Sequence, residues 1–417
     1  MKNEIVTPEN IGMSSKRLEL IRPVMQSYVD KKQIAGLNTM IARKGKIVHF
    51  EQVGHMDREA NIPMTDDTIF RIYSMTKPII CTALMVLYEH SRFHLSSPVE
   101  KFIPAFSRLK VLRRNANGDT AEVDLARAVT IRDLLSHTSG LTYDFLDDSP
   151  VSELYRQAKL ANNSERSLEE MVEVLVQFPL AYQPGTRWHY SIGIDVAAYL
   201  IELISGRELS QFLKEKLFDP LGMVDTDFFV PAEKQCRIAA MYGRPDLFAP
   251  NMTLSKIQKA WENGFNERID VSLTYPSSNR KTFQRGGHGL FSTSRDYMRF
   301  AQMLLNQGEL DGIRILGRKT VELMHMNYLP PDLLPFKVVD PPYYGYGFGL
   351  GSRVLINVAE SEKPGSVGEF GWSGAARTYY WVDPKEEIIG LLMVQSMIEF
   401  GVPEVDFQVL TYQAIID

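Results

Sequence analysis

The sequence predicts an α/β protein in which an antiparallel sheet, built from both ends of the chain and flanked by terminal helices, carries an inserted, mostly helical domain. Two observations predict this fold class. Strand-type hairpins lie near both ends, at residues 37–53 and 378–394, and helix-type patterns dominate residues 74–220. Runs of strands at both ends with helices between them predict an antiparallel sheet built from both ends, with an inserted helical domain.

A chain of 417 residues is too long for one ordinary hydrophobic core, so its length predicts two domains or one large domain with insertions. We place an α/β domain at residues 1–72 and 285–417, with the N- and C-terminal helices against its sheet. The mostly helical domain is placed at residues 73–284. Within it, residues 242–284 are rich in polar and turn residues, which predicts a long irregular insertion that shapes a binding site.

The N-terminal elements follow from local patterns. Ser14 or Ser15 is predicted to cap a first helix, in which Pro23 argues against a straight course. Apolar residues recur in that helix at helical spacing, at Leu18, Ile21, Met25 and Tyr28. Residues 37–43 and 47–53 are β-type runs joined by a Lys-Gly-Lys turn, which predicts a hairpin.

The helical segment has clear start and stop signals. Thr130 and Ser167 each precede an acidic residue at the third helical position, which indicates capped helix starts. Residues 194–204 predict a helix ended by Gly206, and residues 209–217 predict another that ends before a Pro-Leu-Gly turn.

Strand patterns return in the C-terminal part. Residues 345–351 alternate glycine with bulky residues at period two, and residues 378–382 and 388–394 flank an Asp-Pro turn. Residues 403–416 predict a final helix. These elements supply the C-terminal half of the predicted sheet.

Composition excludes several function classes. The formal net charge is −5, without a basic patch, so nucleic acid is not an expected partner. Cys81 and Cys236 are too few for a disulfide framework. Since the N-terminus lacks an apolar signal-peptide core and no stretch reaches the roughly 20 apolar residues of a membrane span, we expect a cytoplasmic protein without a membrane partner.

One stretch points to chemistry. Ser74 and Lys77 are three residues apart, and Pro78 places them in the first turn of a helix whose following residues are apolar nearly all round. A hydroxyl and an ammonium at the start of a buried helix suggest a nucleophile and its activating partner. The spacing also occurs at residues 107–110 and 278–281, in polar sequence without a buried helix.

Two further segments complete the predicted site. Tyr190 follows a Pro-Gly turn and precedes a helix, and its phenol is a candidate base beside a lysine. Residues 371–375, Gly-Trp-Ser-Gly-Ala, are predicted at the edge of the terminal sheet, where unpaired N–H groups would form an oxyanion hole. No complete G-x-S-x-G elbow occurs, so a histidine-based triad is not favoured.

These segments, in this order, resemble the penicillin-recognising serine hydrolases: class C β-lactamases, DD-peptidases and, most closely, the family VIII carboxylesterases. The resemblance covers nearly the whole chain and implies the two-domain fold of the serine β-lactamases and DD-peptidases. It implies Ser74 as nucleophile, Lys77 as proton partner and Tyr190 as base, held deprotonated or nearly so by Lys77. Backbone N–H groups of Ser74 and Ala375 would form the oxyanion hole. Whether Tyr190 or Lys77 is the general base stays open.

Departures from the family pattern narrow the substrate. Residues expected along the substrate are Ile192, Trp372, Ser373 and Gly374. The β-lactam-processing members have an asparagine where this chain has Ile192, and a lysine or histidine where it has Trp372. Because an indole cannot hold the carboxylate of a β-lactam, these two positions resemble the esterase branch.

The resulting prediction is a carboxylesterase of the Ser-Lys-Tyr type that cleaves short-chain esters through an acyl-enzyme on Ser74, with no cofactor and no metal. The alternatives are β-lactamase or D-amino-acid peptidase or amidase activity, acyl transfer to an alcohol and, last, a non-catalytic binding protein. His137, His189 and His288 are assigned structural roles. The natural ester, the acyl-chain limit and the oligomeric state stay open.

Overall fold

The structure, a computed structural model, describes residues 5–114, 117–146, 149–243, 246–253, 255–256, 259, 267–278, 282–338, 341–397 and 403–417. Within these residues lies an eight-stranded antiparallel sheet. Its strands are β1 (Gly36–Arg43), β2 (Lys46–Asp57), β3 (Ile62–Pro63), β4 (Tyr346–Phe348), β5 (Arg353–Leu355), β6 (Phe370–Ser373), β7 (Tyr379–Asp383) and β8 (Ile388–Val394). Both ends of the chain therefore build one sheet, as the sequence predicts.

The two predicted hairpins meet in the middle of this sheet. The strand order is β4-β5-β6-β7-β8-β1-β2-β3. Strand β1 pairs with β8 so that Leu37 lies opposite Val394 and Arg43 opposite Ile388. The junction between the N-terminal and C-terminal hairpins is thus an ordinary antiparallel ladder.

Both faces of the central strands are covered. Alternate side chains of each strand point into two different hydrophobic cores, one on each face of the sheet. Leu37 and Ile41 of β1 join the core formed with the terminal helices. Met40 and Ala42, the two neighbours of Ile41 in the sequence, join the main core on the other face. Every residue of β1 is buried, including the polar residues Asn38, Thr39 and Arg43, because both faces of the strand are covered.

The helices, in chain order, are α1 (Ser15–Leu18), α2 (Ile21–Asp30), α3 (Thr76–Glu89), α4 (Ile131–Leu135), α5 (Pro150–Gln157), α6 (Leu168–Leu175), α7 (Gly193–Ser205), α8 (Leu209–Leu213), α9 (Asp219–Leu221), α10 (Ser294–Leu305), α11 (Arg318–Met324), α12 (Val358–Ser361) and α13 (Pro403–Tyr412). Helix α3 is buried from Thr76 to Leu87 and packs against α7. Its nearly uniform apolar character follows from this central position.

The local start and stop signals are confirmed. Thr130 and Ser167 each accept a hydrogen bond from the backbone N–H of the third helical residue, and that residue's carboxylate bonds back to the cap. Gly206 ends α7 in the left-handed region at φ 68°.

Three helix predictions need correction. Ser14 caps only the short α1, and a break follows before α2, in whose first turn Pro23 lies. The helix predicted over residues 209–217 widens into a π-turn at Lys214–Phe218, because Pro220 has no N–H to continue the regular pattern. The final helix ends at Tyr412, four residues before the predicted end.

The segment Gly371–Ala375 was expected at a sheet edge, and that expectation is wrong. Strand β6 lies between β5 and β7. Its pairing with β5 covers only Phe370 and Gly371, whereas its pairing with β7 runs on to Ser373. The unpaired backbone therefore arises because β5 is short, not because β6 is an edge strand.

The predicted insertion over residues 242–284 is described in part. Met241–Gly243 pairs with Arg268–Ile269 and with Ser396–Met397 in a small three-stranded sheet, so its start is less irregular than predicted. Residues 244–245, 254, 257–258, 260–266 and 279–281 lie outside the described residues. Among the described helices, none has the length and apolar character needed to cross a bilayer.

Candidate active site

Ser74 lies in a one-turn 3₁₀ helix, Tyr73–Met75, that leads directly into α3. Tyr73 immediately before it has φ 42°, a left-handed conformation that is costly for a residue with a bulky side chain. The Tyr73 side chain is fully buried, which holds this strained turn in place. The turn presents the Ser74 hydroxyl at the start of the buried helix.

The structure brings the three predicted catalytic residues together. The Tyr190 hydroxyl donates a 2.7 Å hydrogen bond to Oγ of Ser74, from a position 116 residues later in the chain. Nζ of Lys77 lies 3.2 Å from the same oxygen. Ser74 Oγ is therefore within proton-transfer distance of an amine and a phenol at once.

Lys77 is an amine with little access to water. Its side chain is 1% exposed, and Nζ donates a 2.7 Å hydrogen bond to the Gly287 carbonyl. Nζ also lies 4.5 Å from the centre of the Tyr190 ring. Burial lowers the pKa of Lys77 to about 7, although the nearby Asp195 carboxylate opposes the shift. A substantial neutral fraction at neutral pH makes Lys77 a candidate proton acceptor.

Gly287, whose carbonyl accepts the hydrogen bond from Lys77, is itself held by Asp195. The Gly287 N–H donates a 3.0 Å hydrogen bond to Oδ1 of Asp195, at the start of α7. A Cβ at position 287 would lie 2.5 Å from Oδ2 of Asp195 and from the hydroxyl of Tyr143, so a larger residue there must displace these buried side chains. The sequence predicts no role for Asp195, whereas Gly287 lies in the stretch Gly286-Gly287-His288-Gly289, which is part of the resemblance to the penicillin-recognising serine hydrolases.

The protonation state of Tyr190 differs from the expectation. Burial raises its pKa, an effect that the hydrogen bond to Ser74 opposes, as does the neighbouring Trp372 indole. Tyr190 is therefore protonated at neutral pH rather than held deprotonated by Lys77. In this state the phenol is a proton donor toward Ser74 and toward an oxygen that replaces it.

The turn after β6 lies against the segment that precedes Ser74. Gly374 N–H bonds to the Thr378 carbonyl, and the Thr378 hydroxyl donates a 3.2 Å hydrogen bond to the carbonyl of Ile72. A Cβ on Gly374 would collide with that Ile72 carbonyl and with Oγ1 of Thr378. Ala375 follows in the turn, beyond the ladder that ends at Ser373. Ala375 is therefore outside the sheet pairing and follows directly on a residue that lies against Ile72.

The predicted substrate-side residues flank this site. Ile192 is buried at the start of α7, where its N–H bonds to the Thr142 carbonyl. Trp372 is only 2% exposed, and its ring lies 5.8 Å from that of Tyr190 and stacks on Tyr343 at 6.0 Å. Ser373 is half-buried at the end of β6.

The histidines occupy supporting positions. Nδ1 of His137 lies 3.3 Å from the hydroxyl of Ser191, and Nε2 of His189 lies 2.9 Å from that of Thr142. Burial holds the pKa of His137 well below its ordinary value, and that of His288 likewise. The His288 ring stacks on Phe248 at 4.3 Å. Within the described residues, no hydrogen bond joins any of the three to Ser74.

A cavity of about 450 Å³ opens beside Tyr190. Its lining comes from two segments of the chain and one further side chain: residues 186–190, residues 332–338 with Pro342, and Leu146. Of the three predicted catalytic residues, only Tyr190 lines it. Trp372 is absent from the lining, since it packs behind Tyr190 and Tyr343.

Comparison with known proteins identifies the family of the chain. A sequence model of the Beta-lactamase family matches residues 21–412. The chain is 33% identical to an uncharacterized protein of Mycobacterium tuberculosis, over 91% of this chain and 90% of that protein. It is 28% identical to esterase EstB of Burkholderia gladioli, over 90% of each. It is also 27% identical to the monacolin J acid methylbutanoyltransferase of Aspergillus terreus, over 80% of this chain and 78% of the enzyme.

Solved structures show the same fold. EstCE1, described as a hydrolase with promiscuous acyltransferase activity, superposes with a TM-score of 0.76 at 24% identity, covering 95% of this chain and 99% of its own. A penicillin-binding protein homologue from Pyrococcus abyssi superposes with a TM-score of 0.66 at 20% identity, covering 95% of this chain and 76% of its own. The fold and the family that the sequence resembles are thereby confirmed: the chain belongs to the Beta-lactamase family and has the fold of its serine hydrolases.

Proposed function

We propose that this protein is a carboxylesterase that cleaves short-chain esters through an acyl-enzyme on Ser74. The observation that carries the proposal is the position of Ser74 Oγ, 2.7 Å from the Tyr190 hydroxyl and 3.2 Å from Nζ of Lys77. A serine needs a base in hydrogen-bond reach to act as a nucleophile. Here a buried amine supplies it, without a histidine or a metal.

In the acylation step, Oγ of Ser74 attacks the ester carbonyl while its proton passes to neutral Lys77. The C–O bond to the alcohol then breaks, and the leaving oxygen takes the proton of Tyr190. The lysine ammonium returns a proton to the resulting phenolate, so both groups recover their starting states. Burial lowers the pKa of Lys77, which suits it as the proton acceptor. Burial raises the pKa of Tyr190, which suits it as the proton donor.

The developing oxyanion is assigned to the backbone N–H groups of Ser74 and Ala375. The first N–H groups of a helix have no partner within it, which suits Ser74 at the start of the 3₁₀ turn. The loss of one such donor typically costs about 10²–10³ in rate. Water then attacks the acyl-enzyme by the reverse proton path and releases the acid.

Ester rather than β-lactam substrates are favoured by the residues around the triad. Ile192 supplies no amide, and Trp372 supplies no cation for a carboxylate. Ile192, Trp372, Ser373 and Gly374 are proposed to face the substrate. Relatives described as esterases support this choice. Acyl transfer to an alcohol is the second candidate, favoured by the relatives described as acyltransferases and by the cavity beside Tyr190.

The test compares p-nitrophenyl acetate and butyrate with a chromogenic cephalosporin, in the wild-type protein and in Ser74→Ala. We expect ester hydrolysis that is lost in Ser74→Ala, and cephalosporin turnover that is at least about 100-fold slower. Ester turnover that survives Ser74→Ala would refute the nucleophile assignment. Faster turnover of the cephalosporin would refute the substrate class.

A further inference from the structure

The insertion predicted over residues 242–284 packs against the backbone that carries the nucleophile. The sequence predicts that it shapes a binding site, yet none of its described residues lines the cavity beside Tyr190. Two of its aromatic side chains lie against Tyr73 instead: the Phe248 ring at 6.0 Å between ring centres and the Tyr275 ring at 4.8 Å. The described part of the insertion therefore contacts the residue that directly precedes Ser74.

The Phe248 ring stacks with two rings that come from distant parts of the chain. It is nearly parallel to the Tyr73 ring, with an angle of 10° between the two planes. It is also nearly parallel to the His288 ring, at 11° and with 4.3 Å between the centres. His288 directly follows Gly287, whose carbonyl accepts the hydrogen bond from the catalytic lysine. One side chain of the insertion thus touches the chain neighbours of both Ser74 and Gly287.

We propose that Phe248 is a positioning residue for the nucleophile. Its ring fixes the Tyr73 turn relative to the Gly287 peptide. Oγ of Ser74 and Nζ of Lys77, which these two segments carry or anchor, are thereby kept 3.2 Å apart. The inference rests on the proposed function and gives the insertion a role in catalysis that is separate from substrate binding.

The turn before Ser74 needs support from outside, because Tyr73 has φ 42°. A left-handed conformation is costly for such a residue and persists only where the surrounding structure enforces it. The Tyr73 side chain is fully buried, and its hydroxyl has no hydrogen bond with any residue that the structure describes. Ring packing, rather than a hydrogen bond, therefore holds this side chain in place.

The His288 side chain is held in the same way. It is buried, and within the described part of the chain neither ring nitrogen has a hydrogen-bond partner. Burial holds the pKa of His288 well below its ordinary value, so the imidazole is neutral at neutral pH. The ring lies nearer to Phe248 than to Tyr275 or Phe283. Loss of the Phe248 ring would therefore release His288, and with it the adjoining Gly287 peptide.

Phe248 itself is presented by a fixed backbone. Its N–H donates a 3.0 Å hydrogen bond to Oδ1 of Asp246, whose Oδ2 accepts from the hydroxyl of Thr274. Its carbonyl accepts a 3.0 Å hydrogen bond from Nδ2 of Asn162, which lies outside the insertion. Because both sides of its peptide backbone are tied down and the side chain is only 5% exposed, the ring has a defined position.

A further series of ring contacts leads from Phe248 to the lysine. The Phe145 ring meets Phe248 edge-on at 5.8 Å and stacks on Tyr143 at 4.8 Å. The Tyr143 ring in turn lies 5.3 Å from Nζ of Lys77. A smaller side chain at position 248 would therefore loosen the packing near Lys77 as well as the turn that carries the nucleophile.

The test compares three substitutions of Phe248 with one control. Phe248→Leu and Phe248→Met remove the flat ring, and the flexible methionine fills much of the same volume, so it tests the ring even where the leucine variant does not fold. Phe248→Tyr keeps the ring. The control is Phe93→Leu, since Phe93 is also buried but lies beyond the C-terminal end of α3, beside Tyr88.

The measurements are kcat and KM for p-nitrophenyl acetate, at a temperature at which circular dichroism shows each variant to be folded. Phe248→Leu and Phe248→Met should each lower kcat by at least about tenfold and leave KM within about threefold, because the ester still binds while the reacting atoms lose their alignment. Phe248→Tyr should retain at least about a third of kcat. Phe93→Leu should lower the unfolding midpoint by a few degrees, as Phe248→Leu does, yet change kcat by less than about twofold.

Unchanged kcat in Phe248→Leu and Phe248→Met, with Ser74-dependent turnover in the wild type, would overturn the inference and leave the proposed function intact. A higher KM with unchanged kcat would also overturn it, since Phe248 would then serve substrate binding. An equal loss of kcat in Phe93→Leu would overturn it as well, by reducing the effect to a general loss of packing. Absence of Ser74-dependent ester turnover in the wild type would instead refute the proposed function itself.

Discussion

Nζ of Lys77 donates a 2.7 Å hydrogen bond to the carbonyl of Gly287, which lies 210 residues further along the chain. This bond fixes the position of the amine relative to Ser74. A Cβ on Gly287 would lie 2.5 Å from side-chain oxygens of Asp195 and Tyr143, so a side chain there must displace them. The orientation of Lys77 thus depends on a backbone position that is closely packed on the side where a side chain would lie.

Gly287→Ala is therefore expected to lower kcat by about 10- to 100-fold, because a displaced peptide moves the amine that accepts the proton of Ser74. The measurement is kcat for p-nitrophenyl acetate together with the thermal unfolding midpoint. Gly286→Ala is the matched control: its Cβ would meet Ala198 at 2.5 Å and the Ile194 carbonyl at 2.7 Å, without a bond to Lys77. Equal losses of kcat in both variants would contradict the role of Gly287.

The pH dependence of hydrolysis follows from the buried amine. The pKa of Lys77 is lowered to about 7 by burial, and only the neutral amine accepts a proton. The value of kcat/KM should therefore rise with pH below about 7 and level off above it. Because the Asp195 carboxylate raises the pKa of Lys77, Asp195→Asn should shift the midpoint to lower pH. A profile that is flat between pH 5 and pH 9 would exclude Lys77 as the proton acceptor.

The same burial carries a stability cost that a substitution should reveal. Between pH 7 and the ordinary lysine pKa of 10.5, the unfolded chain binds a proton at residue 77 that the folded chain does not. The free energy of unfolding of the wild type therefore rises with pH between about 7 and 10.5. Below pH 7 residue 77 is protonated in both states, so it adds no pH dependence there. Lys77→Met should abolish activity yet increase stability, most strongly below pH 7, with an advantage that shrinks toward pH 10.

Urea unfolding of Lys77→Met and wild type at pH 6.5 and pH 9.5 measures this difference. A variant that is less stable than wild type at both values would show that the lysine is a net stabilising residue. Comparison with Lys77→Arg, which keeps the charge in the same place, separates the cost of the charge from the change in packing.

Much of the site was predictable because its parts carry local signals. The Ser74–Lys77 spacing precedes a visibly apolar helix, and Tyr190 follows a recognisable turn. Helix caps such as Thr130 were found for the same reason, since each satisfies N–H groups only three residues away. The family resemblance then placed these pieces in one fold.

The missed features depend on pairings that are remote in sequence. Asp195 bonds to a peptide 92 residues away, and no local pattern distinguishes it from an ordinary carboxylate in the first turn of a helix. The inner position of β6 depends on its pairing with β5, a three-residue strand too short to give a periodic signal, although the glycine alternation over residues 345–351 marks the neighbouring β4. The protonation of Tyr190 depends on how completely other segments bury it, which spacing does not reveal.

The turn that carries Ala375 offers the last prediction. Gly374 lies against the Ile72 carbonyl, two residues before Ser74, so a methyl group there must push the turn away from the nucleophile. The N–H of Ala375 would move with it and lose its alignment to the developing oxyanion. Gly374→Ala should therefore reduce kcat by about 10²-fold with a small change in KM, because the contact is made mainly in the transition state.

Ala375→Gly keeps the N–H and should reduce kcat far less. Steady-state kinetics with p-nitrophenyl butyrate decide the matter, since equal kcat values for Gly374→Ala and wild type would remove this turn from the oxyanion hole.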